Sequence, residues 1–341
     1  GALYVGSPET VAKKIVRTQK LLGNSRFGMK YGNASLAHEH MMSAVELYGT
    51  PLIDDPDRFG TVCALGLDET LFCRQGRFRI QCWSTQIVDV RRSQLLDVVP
   101  GRDSSEPCRW LAARSEVWRA GIGWATLDLS SAYRSVFDTM LPNAVQVADP
   151  FHVVQLANRA LDECRRRVQN DTMGHRGRKN EPLYRARRRL VMAAERLTAE
   201  QHERLMGLLR AGDPHREVWF AWNAKEVVRQ TYDHTDETLA GEWVDAIGRD
   251  FTDAEMPIEV RRLGRTISKW RDQIVAWHRS HVSNGPTEAA NLLIKTVKRS
   301  GRGFRNFDNY RLRILLAGGH NPLRETPQVT SIRPRRPRLV A

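Results

Sequence analysis

No run of apolar residues in this 341-residue chain approaches the roughly 20 that a membrane-spanning helix requires. The opening residues also lack a charged segment followed by a hydrophobic signal core, so a cytoplasmic location without a membrane partner is expected. Cysteine is scarce. Its five occurrences, at 63, 73, 82, 108 and 164, form no CxxC pair and no zinc-like spacing with histidine, which argues against a disulfide framework or a structural zinc site and leaves buried or indifferent thiols. Acid is in short supply too: 39 Asp and Glu face 53 Lys and Arg, a formal charge of +14. Such an imbalance points to a polyanionic partner, nucleic acid first, with a merely soluble basic protein as the plainer alternative.

The hydrophobic content of 41% supports at least one sizeable core, and the length accommodates two or three domains. Charge is clustered. From Arg165 to Leu190 there are ten basic residues against two acidic, and "RPRRPR" near the end repeats the bias. Arg165, Arg166 and Arg167 open the first cluster as candidate DNA contacts, with a solvated helix face as the plainer alternative.

Along the chain, "SPETVAKKIVRTQKLL" (7–22) predicts a helix with Ser7 as N-cap and Pro8 at its first position, and a second helix is expected over 35–47. Strand patterns follow. "TVCALGL" (61–67) ends at Asp68, "RFRIQCWSTQIVDV" (77–90) and "QLLDVV" (94–99) complete a three-stranded meander, and a helix is expected over 105–120. "IGWATL" (122–127) ends at Asp128, a helix over 131–141 stops at Pro142, and "AVQVA" (144–148) ends at Asp149. This order, β-β-β-α-β-α-β with a helix next, predicts an α/β fold in which the first and fourth strands lie side by side as parallel neighbours. Residues 153–280 are helical in pattern throughout, apart from a loop over 171–182, and predict an all-helical insertion that splits the sheet domain.

Three acids stand at element boundaries: Asp68, Asp128, and Glu288 at the start of a helix after an "NGP" turn. Carboxylates that converge can hold two divalent ions about 4 Å apart for phosphoryl transfer, and hard oxygen donors suit Mg²⁺ or Mn²⁺. Taken singly, each has a plain alternative as a turn former or a favourable charge at a helix start. Asp149, followed by Pro150, is a natural N-cap, and His152 one turn on could orient a carboxylate or contact a phosphate. Beyond Glu288 the chain turns basic: residues 295–313 hold seven Lys or Arg and one acid. Lys295, Lys298, Arg299, Arg302 and Arg305 are therefore candidate DNA-backbone contacts. Phe304, Phe307 and Tyr310 could stack on splayed bases, although aromatics at this spacing more often enter a core, as expected also of Trp270 and Trp277.

Two resemblances overlay these patterns. The first fifty residues, "GALYVGSPETVAKKIVRTQKLLGNSRFGMKYGNASLAHEHMMSAVELYGT", resemble the C-terminal end of a luciferase-like, flavin-dependent monooxygenase. A single terminal piece cannot build the (β/α)8 barrel that such chemistry needs, so no flavin is expected. From about Leu52 to Leu316 the strings "LGLDET", "TLDLSSAYRSVF", "ADPFHVVQLANRALDECRR" and "SNGPTEAANLLIKTVKRSGRGFRNFDNYRLR" resemble DDE transposases of the bacterial ISL-three insertion-sequence family. That resemblance implies a ribonuclease H-like core and a triad of Asp68, Asp128 and Glu288 holding two Mg²⁺ or Mn²⁺ ions, the last two residues 160 positions apart across the insertion. Asp149 and His152 match the family's D-x-x-H string and are accessory candidates.

The resemblance further implies cleavage of element ends and joining to target DNA, by a homo-oligomer associated with the nucleoid. Relatives carry an N-terminal end-recognition region, for which the monooxygenase-like segment stands here, so impaired activity is expected. The alternatives are a ribonuclease H-like nuclease without strand transfer and an inactive DNA-binding remnant. The expected domains are a 1–50 remnant, a catalytic core in two parts (51–152 and 281–318), a 153–280 insertion, and a basic tail over 319–341 that is poorly ordered.

Overall fold

A computed structural model describes residues 59–318 and, in isolation, Lys13. The helices expected over 7–22 and 35–47, and the tail, lie outside the described residues. The order of elements is β1 (Ala64–Gln75), β2 (Ile80–Asp89), β3 (Gln94–Pro100), α1 (Ser105–Ala112), α2 (Glu116–Ala120), β4 (Trp124–Leu127), α3 (Ser131–Met140) and β5 (Val145–Ala148). Seven helices come next: α4 (Pro150–Met173), α5 (Pro182–Leu190), α6 (Ala199–Gly212), α7 (Glu217–Gln230), α8 (Glu237–Phe251), α9 (Ile258–Lys269) and α10 (Arg271–Ser280). Two more, α11 (Gly285–Ser300) and α12 (Phe307–Gly318), close the described chain.

The five strands form one sheet in the order β3-β2-β1-β4-β5. β1 pairs antiparallel with β2, and β2 with β3, which is the expected meander; β4 is the neighbour of β1. β1 is buried continuously from Ala64 to Asp68, the signature of a strand covered on both faces. It differs from expectation in length. Instead of ending before Asp68, it runs on to Gln75, because "ETLFCRQ" continues the ladder with β2 as far as the Gln75–Ile80 pair. Asp68 therefore sits within a strand. The helix expected over 105–120 is two helices, since the Ser115 side chain accepts from Trp118 N–H and caps a new start. Likewise α4 extends to Met173, into the expected loop, and ends where Gly174 takes a left-handed backbone at φ 70°.

Among the described residues, one compact unit comprises 59–125, 131–144 and 284–318. In it Asp97 of β3 is a buried anchor. It accepts Nε–H and Nη2–H of Arg311 at 2.7 and 2.8 Å and the Trp110 indole N–H at 2.8 Å, which fastens α12 and α1 to the sheet. Fully buried Tyr310 shares a hydrogen bond with Ser84 at 3.1 Å and lies among Phe72, Phe304 and Phe307. Tyr310 is thus core, not a stacking platform for bases. Tyr133 of α3 similarly bonds Thr85 at 3.1 Å.

The other unit comprises 126–130 and 145–283. Its helices pack α4 on α7 and α9, α5 on α6, and α8 on α9 and α10, while α10 covers β5. Trp270 is buried, as its spacing predicts. Lys225, fully buried on α7, donates to the carbonyls of Leu190 and Met192 at 2.8 and 2.6 Å, which satisfies the open end of α5.

Candidate metal centre

Asp68 is held from two directions. The backbone N–H of Glu69 donates to its Oδ1 at 2.7 Å, and the Asn291 side-chain amide donates to its Oδ2 at 2.6 Å. Both Asp68 and Asn291 are buried, so a fixed donor sets the carboxylate rotamer. Asn291 reaches Asp68 because α11 begins almost in contact with β1. A Cβ built on Gly66 would lie 2.5 Å from Thr287 Oγ1 and 2.9 Å from Asn284 Oδ1. Only glycine permits that approach.

Asp128 follows β4 directly, and Leu129 after it takes a left-handed backbone at φ 57°, an unusual conformation for a branched apolar residue. Beside the middle of β1 and the end of its neighbour β4, Asp68, Glu69 and Asp128 each offer a carboxylate oxygen, all within 4.8 Å of one another. Glu69 is an addition to the expected set. Strict alternation along a strand assigns it to the face opposite Asp68, and the acidic doublet in "LGLDET" is the only sequence signal for it. Glu288, the expected third ligand, is outside that group. It is half-buried in the first turn of α11, three residues before Asn291 and hence on the same side of the helix.

Asp149 acts as the N-cap of α4, its Oδ2 accepting from Phe151 N–H at 3.1 Å with Pro150 at the first position. The same residue's N–H donates to the Leu127 carbonyl at 3.2 Å, which sets the start of α4 beside the end of β4. His152 then lines a cavity of about 210 Å³ together with Asp128, Leu129, Gln155, Arg159 and Thr266. Arg159, which the sequence pattern does not single out, donates to Gln155 Oε1 at 3.0 Å.

The expected cationic contacts divide. Lys295, Arg299, Arg302 and Arg305 are exposed, as is Arg166. Three others need correcting. Arg165 is buried, its guanidinium held by Asp162 and Gln169. Arg167 joins Glu259 of α9 at 2.8 Å and Glu217 of α7 at 2.5 Å, bonds that raise its pKa further and hold it in a helix-to-helix network. Lys298 donates to the Leu71 carbonyl at 2.6 Å, where the β1–β2 register shifts between Leu71 and Cys73, and burial lowers its pKa. A bulge frees a carbonyl from the ladder, and Lys298 takes it up. All five thiols are free; Cys164 is the buried one, and Cys73 and Cys82 face each other across the β1–β2 ladder.

Mixed α/β architecture and a knot of carboxylates beside a basic helix define a class of proteins suited to gather hard cations near a polyanion. The family model described as transposase, of the DDE and ISL-three type, matches residues 65–314, and the chain belongs to that family. Over 285 residues, 78% of the chain, it is 28% identical to the transposase for insertion sequence element IS1557 in two strains of Mycobacterium tuberculosis. The chain spans 62% of the length of those relatives. A short match, 38% identical over 65 residues, covers 19% of the chain and 21% of an ATP-dependent protease from Lactococcus lactis subsp. lactis, too little of either to carry an argument. No counterpart of the monooxygenase resemblance stands among these relatives, and that segment precedes the family match. Among the described residues, no helix is long and apolar enough to cross a membrane.

Proposed function

We propose that the chain carries out metal-dependent cleavage and strand transfer of insertion-sequence DNA, on a ribonuclease H-like core formed by 51–152 and 281–318 with 153–280 as an insertion. The observation that carries this reading is the gathering of Asp68, Glu69 and Asp128 oxygens within 4.8 Å in a member of a transposase family. Three converging carboxylate oxygen donors match the preference of Mg²⁺ or Mn²⁺ for hard ligands. Asp68 and Asp128 would hold the ions, with Glu288 closing the set from α11. Divalent ions, when bound, polarise the attacking oxygen and offset charge on the leaving one.

The protein's own part is alignment. Asn291 fixes the rotamer of Asp68 through Oδ2, and the Gly66 approach sets the height of α11 and of Glu288 above β1. Lys295, Arg299, Arg302 and Arg305 lie further along or just beyond the same helix, where they neutralise DNA phosphates without reading sequence. His152 and Arg159 add hydrogen-bond donors beside Asp128 for the strand being cut.

The test is nicking of supercoiled plasmid by the purified chain with Mg²⁺, Mn²⁺ or chelator, followed by joining of pre-cleaved ends to target. Asp68→Asn and Asp128→Asn are each expected to lower cleavage at least about 100-fold, the scale of losing a principal charge-stabilising group. Comparing Glu288→Gln with Glu69→Gln identifies the third ligand. Cleavage that survives chelation or Asp128→Asn refutes the reading, and cleavage without any joined product reduces it to a nuclease.

A further inference from the structure

β1 and β2 continue past the covered part of the sheet as a two-stranded ribbon, pairing Arg74 with Gln81 and Gln75 with Ile80. The turn that joins them, residues 76–79, closes by a 3.1 Å hydrogen bond from Arg79 N–H to the Gly76 carbonyl, with Gly76 and Arg79 both at positive φ. Every residue from Arg74 to Gln81 is exposed. Phe78 is 87% exposed and Ile80 65%, while Arg74, Arg77 and Arg79 carry three positive charges with no acid in the segment.

Elementary packing gives no reason for this composition. A hairpin tip that serves only to reverse the chain is normally short and polar, and an exposed aromatic together with an exposed isoleucine is an aggregation hazard there. None of the three arginines makes an ion pair among the described residues. The basic character is also continuous with the far end of α11: Lys298 is anchored at Leu71 and lies within electrostatic range of Arg74. At the ribbon's base Arg102 stacks over Trp83 at 4.9 Å, beside a trough of about 440 Å³ that Phe72 and Phe307 also line. Cations interleaved with exposed aromatics are the chemistry that grips a nucleic acid, with charge on phosphates and the ring against bases.

We propose that the β1–β2 hairpin is a second DNA-contact surface, separate from the carboxylate group, in which Phe78 lies as an apolar wedge against base edges while Arg74, Arg77 and Arg79 bind flanking phosphates. The choice of DNA as partner rests on the transposase reading. At about 3.3 Å per residue, the seven residues from Asp68 to Gln75 carry the tip roughly 23 Å along the strand. A duplex held at both places is then contacted roughly six or seven base pairs from the cleaved phosphate, given about 3.4 Å per pair.

The test uses the full chain and a fluorescein-labelled duplex of about 30 base pairs, with anisotropy titrations across a salt series and no divalent ion. Arg77→Gln combined with Arg79→Gln is expected to lower the slope of log affinity against log salt by about two. Phe78→Ala is expected to weaken binding at least about fivefold with the slope unchanged. Because these side chains are exposed, thermal unfolding should match the parent chain. Variants that bind as tightly as the parent overturn the proposal. So does a Phe78→Ala protein whose sedimentation shifts to a smaller species at unaltered affinity, which marks the tip as a self-contact. If cleavage proves independent of metal but the hairpin variants bind poorly, the catalytic reading fails and the hairpin stands. Normal cleavage with unaffected binding reverses that result: the catalytic reading stands and the hairpin fails.

Discussion

The tight approach of α11 to β1 at Gly66 offers a sharp perturbation, Gly66→Ala. One added methyl would sit 2.5 Å from Thr287 Oγ1, 2.7 Å from Val90 Cγ1 and 2.9 Å from Asn284 Oδ1, all inside ordinary contact distance. β1 and β2 are locked by their ladder around Gly66, which pairs with Val88, so the first turn of α11 is the part that yields. Overpacking of this kind costs about 1–3 kcal/mol. For a protein of this size that lowers the melting temperature by about 2–4 °C per kcal/mol, or roughly 2–12 °C. Displacement of α11 also lengthens the 2.6 Å bond from Asn291 to Asp68 and carries Glu288 with it. Metal-dependent nicking, measured well below the melting range, should therefore fall by more than the lost stability explains. A companion change separates the two effects. Thr287 Oγ1 makes no hydrogen bond among the described residues, so Thr287→Ala removes the nearest clash at little cost, and the double variant should recover part of both stability and nicking. A Gly66→Ala protein that melts and nicks like the parent refutes the argument that this approach positions α11.

Two further outcomes are expected. Arg167→Ala should destabilise by roughly 2–4 kcal/mol in chemical denaturation, because Glu259 is left buried without its cation while partly exposed Glu217 is screened by solvent; a loss under about 1 kcal/mol would return Arg167 to the solvated set. His278 is the pH-sensitive group: burial, outweighing its 3.0 Å contact with the His234 carbonyl, holds the imidazole below its ordinary value of 6.5. Its contribution is then fully present above about pH 6.5 and is lost as pH falls through its folded value, so His278→Gln should flatten the decline of stability as pH drops below about 6.5. An identical decline in the variant would assign the proton uptake elsewhere.

The strands β3, β4 and β5 were legible because short apolar runs bounded by turns leave few alternatives. The full length of β1 was not, since its outer half carries charge and polar residues and is held by pairing with β2, which a local pattern does not display. Asp68 and Asp128 were visible as acids beside strands, and the structure does bring them together. Glu69 and Asn291 were hidden for different reasons: one stands on the wrong parity for a strand, and the other meets its partner across 223 positions. Arg167 looked like its exposed neighbour Arg166 because nothing local shows that Glu217 and Glu259, 50 and 92 positions away, turn toward it. Arg165, by contrast, is held by Asp162 and Gln169 of its own helix and differs from Arg166 in facing the packed side. Charge runs report composition; burial decides which members of the run remain available.

The bond between Asn291 and Asp68 also bears on synthesis. Its two ends are separated by 223 positions, so the acceptor leaves the ribosome long before the donor exists. A nascent chain, or a product of premature termination within the long helical excursion, has no means of orienting that carboxylate. The carboxylate of Asp68 can take its fixed orientation only after translation has passed Asn291.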